Sequence, residues 1–137
     1  MAIEFNHFSP QAFERMVQAL CVSVLGPGVV IFGAGADGGR EATFEGEVAF
    51  PSSVNRWNGY IVVQAKCRER LRNNYEDANW LCGQLRHDLD NFLDAKRNLR
   101  KPRYYILASN VTLSPEDKRG GKPKLKQYSS RTRKSFV

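Results

Sequence analysis

Three residues, Glu41, Gln64 and Lys66, have the types and spacing to act together on a phosphate ester. From Glu41 to Glu45 polar and apolar residues alternate, so a strand would set Glu41, Thr43 and Glu45 on one side and Ala42 and Phe44 on the other. Further along, Gln64 and Lys66 share a side, joined by Arg68 and Arg70 if the extended conformation continues. If the two strands are neighbours, a carboxylate, an amide and an ammonium converge beside a row of guanidinium groups. Such a set can cut a phosphodiester. Carboxylate and carbonyl oxygens hold Mg²⁺, which polarises a phosphoryl oxygen and lowers the pKa of a bound water. A nearby lysine orients or helps deprotonate that water and offsets charge developing on the phosphate.

The elements that must position these groups can be read from periodicity. Ser9 and Pro10 form a helix start, a capping hydroxyl followed by a residue whose missing N–H costs nothing at the first helical position. Phe13, Val17, Leu20 and Val24 mark its apolar face, with Met16 beside it, and Gly26-Pro27-Gly28 ends it. Val29 to Phe32 is a short β-branched strand, and Glu41 to Glu45 is the second. A connection containing Pro51, Ser52, Ser53 and Asn55 then reads as an exposed loop or the frayed end of a hairpin. Tyr60 to Lys66 is apolar on both faces at its start, as a covered central strand would be. From about Tyr75 to Leu99 the pattern is helical, with Leu81, Leu85, Leu89 and either Phe92 or Leu93 buried. Arg86, Asp88, Asp90, Lys96 and Arg97 fall outside that stripe, Pro102 ends the segment, and Tyr104 to Ser109 is a last buried strand. The expected class is α/β, in the order αβββαβ.

In this order, "FERMVQAL" in the first helix, "GADGGREATFEG" across the first turn and second strand, and "VVQAK" in the third strand resemble the PD-(D/E)xK nuclease superfamily, and within it the Mrr-type restriction endonuclease-like domains. The resemblance spans residues 8 to 66, and its order of elements extends to about Asn110. It implies a restriction-endonuclease-like core, a mixed central sheet flanked by helices, over residues 1–115. Carried over by position, it makes Glu41 the metal-binding acid, Gln64 the second position of the site, Lys66 the catalytic lysine and Glu14 a supplementary metal ligand. Two departures stand out: Glu41 occupies a position usually held by Asp, and Gln64 replaces a carboxylate, which leaves less negative charge for the metal. The implied activity is Mg²⁺- or Mn²⁺-dependent cleavage of DNA, with Arg68, Arg70 and Arg72 positioning phosphates. The implied setting is an N-terminal effector in a bacterial antiviral defence or restriction system, joined to a sensor or NTPase module, with a partner or homo-oligomer that restrains cleavage. The same fold with a weakened site would instead be a DNA-binding module that does not cut.

A third reading comes from Gly33, Gly35 and Gly38, which match the GxGxxG spacing of a nucleotide-binding loop. That loop needs a helix directly after it, and the alternation from Glu41 onward suits a strand. The glycines then shape a strand-to-strand turn that presents Glu41, with Asp37 as a turn residue and a competing acid.

The 137 residues suit one domain with its own core, and 42% hydrophobic content is ordinary for a globular chain. No apolar run reaches the length of a membrane span, and MAIEFNHFSP has no signal-peptide pattern. Cys21, Cys67 and Cys82 form neither a disulfide framework nor a CxxC metal site, so a cytoplasmic, reducing setting is expected. The net charge of +7 is uneven: eight of the 21 basic residues lie from Lys118 onward with no acid among them, which leaves a nearly neutral body. Residues 116–137 therefore read as a basic tail or linker, able to bind phosphate backbones or simply to remain solvated. His7 and His87 lack partners at catalytic or metal-ligand spacing, and Ser52 and Ser53 lack a nucleophile motif. Trp57 and Trp80 could stack on bases, but aromatic residues more often anchor a core or loop.

Overall fold

A computed structural model of the chain describes residues 9–32 and 42–113. Among these residues it is an α/β structure with a four-stranded mixed sheet and two helices. The elements are α1 (Pro10–Leu25), β1 (Val30–Ile31), β2 (Ala42–Pro51), β3 (Arg56–Lys66), α2 (Asn74–Leu93) and β4 (Tyr104–Ser109), the order read from the sequence. In the sheet they are arranged β1-β2-β3-β4, with β1/β2 and β2/β3 antiparallel. The glycine-rich turn with Asp37, the acid Glu41, His7 and the basic tail lie outside the described residues.

Two compact units make up the chain. One holds α1, β1, β2, β3 up to Ala65 and the segment Pro102–Ala108; the other holds Lys66–Lys101 and, among the described residues, Ser109–Leu113.

In the first unit α1 begins as expected: Ser9 Oγ accepts the Ala12 N–H at 3.1 Å and Pro10 occupies the first turn. Gly26 closes the helix at φ 91°, a conformation glycine adopts without a Cβ penalty. The buried face differs from the predicted one. Phe13, Val17, Cys21 and Leu25 are buried, while Leu20 and Val24 are 54% and 46% exposed. Helical periodicity allows either continuation after Val17; the i+4 row is the one that packs, and α1 rests on β2 through it.

β1 is confined to Val30–Ile31, within the predicted Val29–Phe32, whereas β2 and β3 are longer than alternation suggested. β2 runs to Pro51 and β3 starts at Arg56, so the predicted connection shrinks to Ser52–Asn55, where the Asn55 N–H donates to Ser52 Oγ at 3.0 Å. The register pairs Ala42 with Val63 and Glu45 with Tyr60. Ile61 to Gln64 are buried without a break, as expected of a covered interior strand. At the other end of β3, Trp57 stacks on Tyr104 at 4.3 Å and meets the edge of Phe50 at 4.8 Å, which gives this tryptophan the anchoring role. Gly59, at φ 145°, lets Arg103 cross closely; a Cβ there would lie 2.8 Å from Arg103 Cδ.

In the second unit Asn73 caps α2 by accepting the Glu76 N–H at 2.8 Å. Leu81, Leu85, Leu89 and Phe92 are buried as predicted, and Leu93 is exposed. The helix stops at Leu93, short of the expected Leu99. Asp94 ends it by turning the chain back on itself: its carboxylate accepts the Lys96 N–H at 3.0 Å and its carbonyl accepts the Arg97 N–H at 3.1 Å. A second correction concerns Asp88, predicted to lie outside the stripe. It is 4% exposed.

Candidate active site

Lys66 closes β3 as the sequence placed it, and its amine is already engaged. Nζ lies 3.0 Å from Asp88 Oδ2 and donates to Oδ1 at 3.3 Å, with side-chain exposures of 18% and 5%. A buried carboxylate is costly unless paired and hydrogen-bonded, and this amine supplies Asp88 with an opposite charge. The pair fixes the lysine head group in one place. A positioned ammonium at a strand end loses less conformational entropy on meeting an anion than a free one does.

Gln64, two residues before Lys66 on β3, is fully buried. Glu14 is half-buried on α1, next to the core residue Phe13. Glu41 is joined by one peptide bond to Ala42, and Gln64 by one to Val63, the partner of Ala42 in the β2/β3 register. Among the described residues no group of three His, Cys, Asp or Glu side chains is gathered to hold a metal.

The three arginines diverge. Arg68 is committed internally: Nη1 donates to Asp77 Oδ1 and to the Glu76 carbonyl, both at 3.1 Å, and the guanidinium lies 5.7 Å from the Trp80 ring centroid. Its backbone is held as well, donating N–H to Asn110 Oδ1 at 2.9 Å and accepting from Asn110 Nδ2 at 3.0 Å. The Arg72 N–H donates to the Asp77 carboxylate at 3.0 Å, while its side chain is exposed and reaches Glu76 only at 4.0 Å. Arg70 is exposed. The extended conformation expected to carry Arg68 and Arg70 alongside Lys66 ends at Lys66. Of the predicted phosphate-binding row, Arg70 and Arg72 present exposed side chains, and Arg68 serves the local fold. Trp80 serves it too, as the surface under Arg68.

Asp77, Asp88 and Asn110 were missed from sequence, although the two acids carried a signal. Asp77, Leu81, Leu85, Asp88 and Phe92 follow each other at spacings of four, four, three and four, so both aspartates fall on the buried stripe of α2. A charge on such a stripe demands a cation, and Lys66 and Arg68 supply one each. Asn110 had no comparable mark. His87 is exposed, as expected of a surface residue.

Comparison with protein-family models, with curated proteins and with solved structures gives no match. Among the described residues no helix is long and apolar enough to cross a membrane.

Proposed function

We propose that this chain is a metal-dependent DNA endonuclease domain of the PD-(D/E)xK type, similar to the Mrr-like domains. The observation that carries the reading is the antiparallel pairing of β2 and β3 with Ala42 opposite Val63, one covalent step from Glu41 and from Gln64 respectively, on the strand that ends in Lys66. The order of elements and the α/β class support it as well.

The donor set fits a hard divalent cation. Glu41 and Glu14 offer carboxylates and Gln64 an amide carbonyl, and Mg²⁺ or Mn²⁺ takes one or two carboxylates alongside water and phosphate oxygens. When bound, the ion polarises the phosphoryl oxygen and supplies a water of lowered pKa. The chain's own groups do the rest. Lys66, held by Asp88, sets a positive charge at a fixed point where a phosphate oxygen gains negative charge. The exposed Arg70 and Arg72 draw in the backbone without reading sequence. A restraining partner, oligomer or fused sensor module belongs to the same proposal.

One observation favours the second reading, a DNA-binding module that does not cut: the Lys66 amine already has a structural occupation in its pair with Asp88. Cleavage of supercoiled plasmid with Mg²⁺, Mn²⁺ or chelator separates the two. The nuclease reading predicts nicking that chelator abolishes, and that Glu41→Gln abolishes with the fold intact. An inert module gives only salt-sensitive DNA affinity.

A further inference from the structure

With Arg68 drawn into the fold, another run of exposed cations stands out among the described residues. After α2 ends, the segment Lys96-Arg97-Asn98-Leu99-Arg100-Lys101 carries four cations, and no acid follows Asp94 until Glu116. All four cationic residues are exposed. The turn is shaped by Asp94, whose carboxylate and carbonyl accept the Lys96 and Arg97 amides, and by Asn98 at φ 48°. Its backbone is therefore fixed while the long side chains of Lys96, Arg97 and Lys101 extend without a carboxylate partner among the described residues. The acids nearest in sequence are Asp90, exposed one turn back on α2, and Asp94, used by the turn.

We infer that Lys96–Lys101 is a phosphate-binding surface for duplex DNA. The inference deepens the nuclease reading and rests on it for the choice of partner. Six residues separate Asp88 from Asp94, a rise of about 9 Å along a helix axis. The basic turn thus begins roughly three base-pair rises, at ~3.4 Å each, along the α2 axis from the carboxylate that holds Lys66, and both lie in one unit of the chain. Helix-end cations also offset the helix dipole, but that role affects stability and leaves the salt dependence of DNA binding unchanged.

The test is fluorescence anisotropy of a labelled 30-base-pair duplex against the full chain in chelator, across a salt series. Each phosphate contact contributes about 0.9 to the slope of log affinity against log salt, so the variant Lys96→Ala with Arg97→Ala and Lys101→Ala lowers that slope by about 2.7. Its affinity at low salt falls by about ten-fold or more. If circular dichroism finds that variant unfolded, Lys96→Gln with Lys101→Gln replaces it, with an expected decrease of about 1.8. An unchanged slope in a folded variant overturns the inference, as does a loss of binding to duplex RNA or anionic vesicles without a loss on DNA. A chain that binds DNA through this surface and never nicks it in Mg²⁺ refutes the nuclease reading alone.

Discussion

Breaking the Lys66–Asp88 pair is predicted to destabilise the unit that contains it, by an amount that depends on which partner is removed. At 3.0 Å and an effective dielectric of about 20, the gross attraction is about 5 kcal/mol, much of it offset by the cost of taking both charges out of water. Removing one partner takes from the other the opposite charge nearest to it, which for a buried pair ordinarily costs about 3–5 kcal/mol. Lys66→Ala takes the paired cation from a carboxylate only 5% exposed and is placed toward the lower end of that range, at about 3–4 kcal/mol. Asp88→Ala strands an amine 18% exposed, which water can partly reach, so the expected loss is smaller, about 2–3 kcal/mol. Replacing both with apolar residues of similar size, Lys66→Met with Asp88→Leu, returns stability to within about 1 kcal/mol of the parent. Urea unfolding in a Trp57→Phe background reads the effect through Trp80, which shares a unit with the pair. Single variants within about 0.5 kcal/mol of the parent, or a double variant less stable than either single one, would falsify the reasoning. The same numbers affect how Lys66 is tested in cleavage: a silent Lys66→Ala could be unfolded, whereas the apolar double variant removes the ammonium and keeps the core filled.

Four further outcomes follow from the geometry. Ser9→Ala removes the hydroxyl that accepts the Ala12 amide and lowers stability by about 1 kcal/mol in thermal melts. Asn73→Ala does the same for α2 through the Glu76 amide, again about 1 kcal/mol, and a Ser replacement recovers most of it. Gly59→Ala meets both a φ of 145° and the Arg103 side chain and loses about 1–3 kcal/mol by chemical denaturation; a neutral result would mean the strand relaxes locally. Arg68→Ala weakens the fold by removing the cation beside the buried Asp77, so any fall in its DNA affinity tracks the unfolded fraction in a melting curve, whereas Arg70→Ala weakens binding in a chain of unchanged stability.

Much of the architecture was legible in the sequence because the relevant signals are local. Ser9-Pro10, Gly26 and the alternation after Ala42 each fix an element within a few residues, and Tyr104–Ser109 coincides with its predicted range, although it is half-buried and not buried as expected. Boundaries failed where a side chain competed with the backbone, as Asp94 does at the end of α2. The face of α1 was misjudged because Leu20 and Cys21 both continue a helical stripe after Val17, and hydrophobicity alone favours the leucine. For the candidate site the limit is different. Residue type and order suggested Gln64 and Lys66, but the carboxylate that holds Lys66 lies 22 residues later, where periodicity marks burial without naming a partner. Arg68 illustrates the same limit: a cation beside a strand end reads as phosphate-binding until Asp77 and Asn110 are seen to engage it.

The most direct test of the proposed activity is nicking of supercoiled DNA by the purified chain with Mg²⁺, with chelator, and with Glu41→Gln. The account predicts open-circular product only for the parent chain with the ion present. Product formed equally in chelator or by Glu41→Gln, or none under any condition, contradicts it.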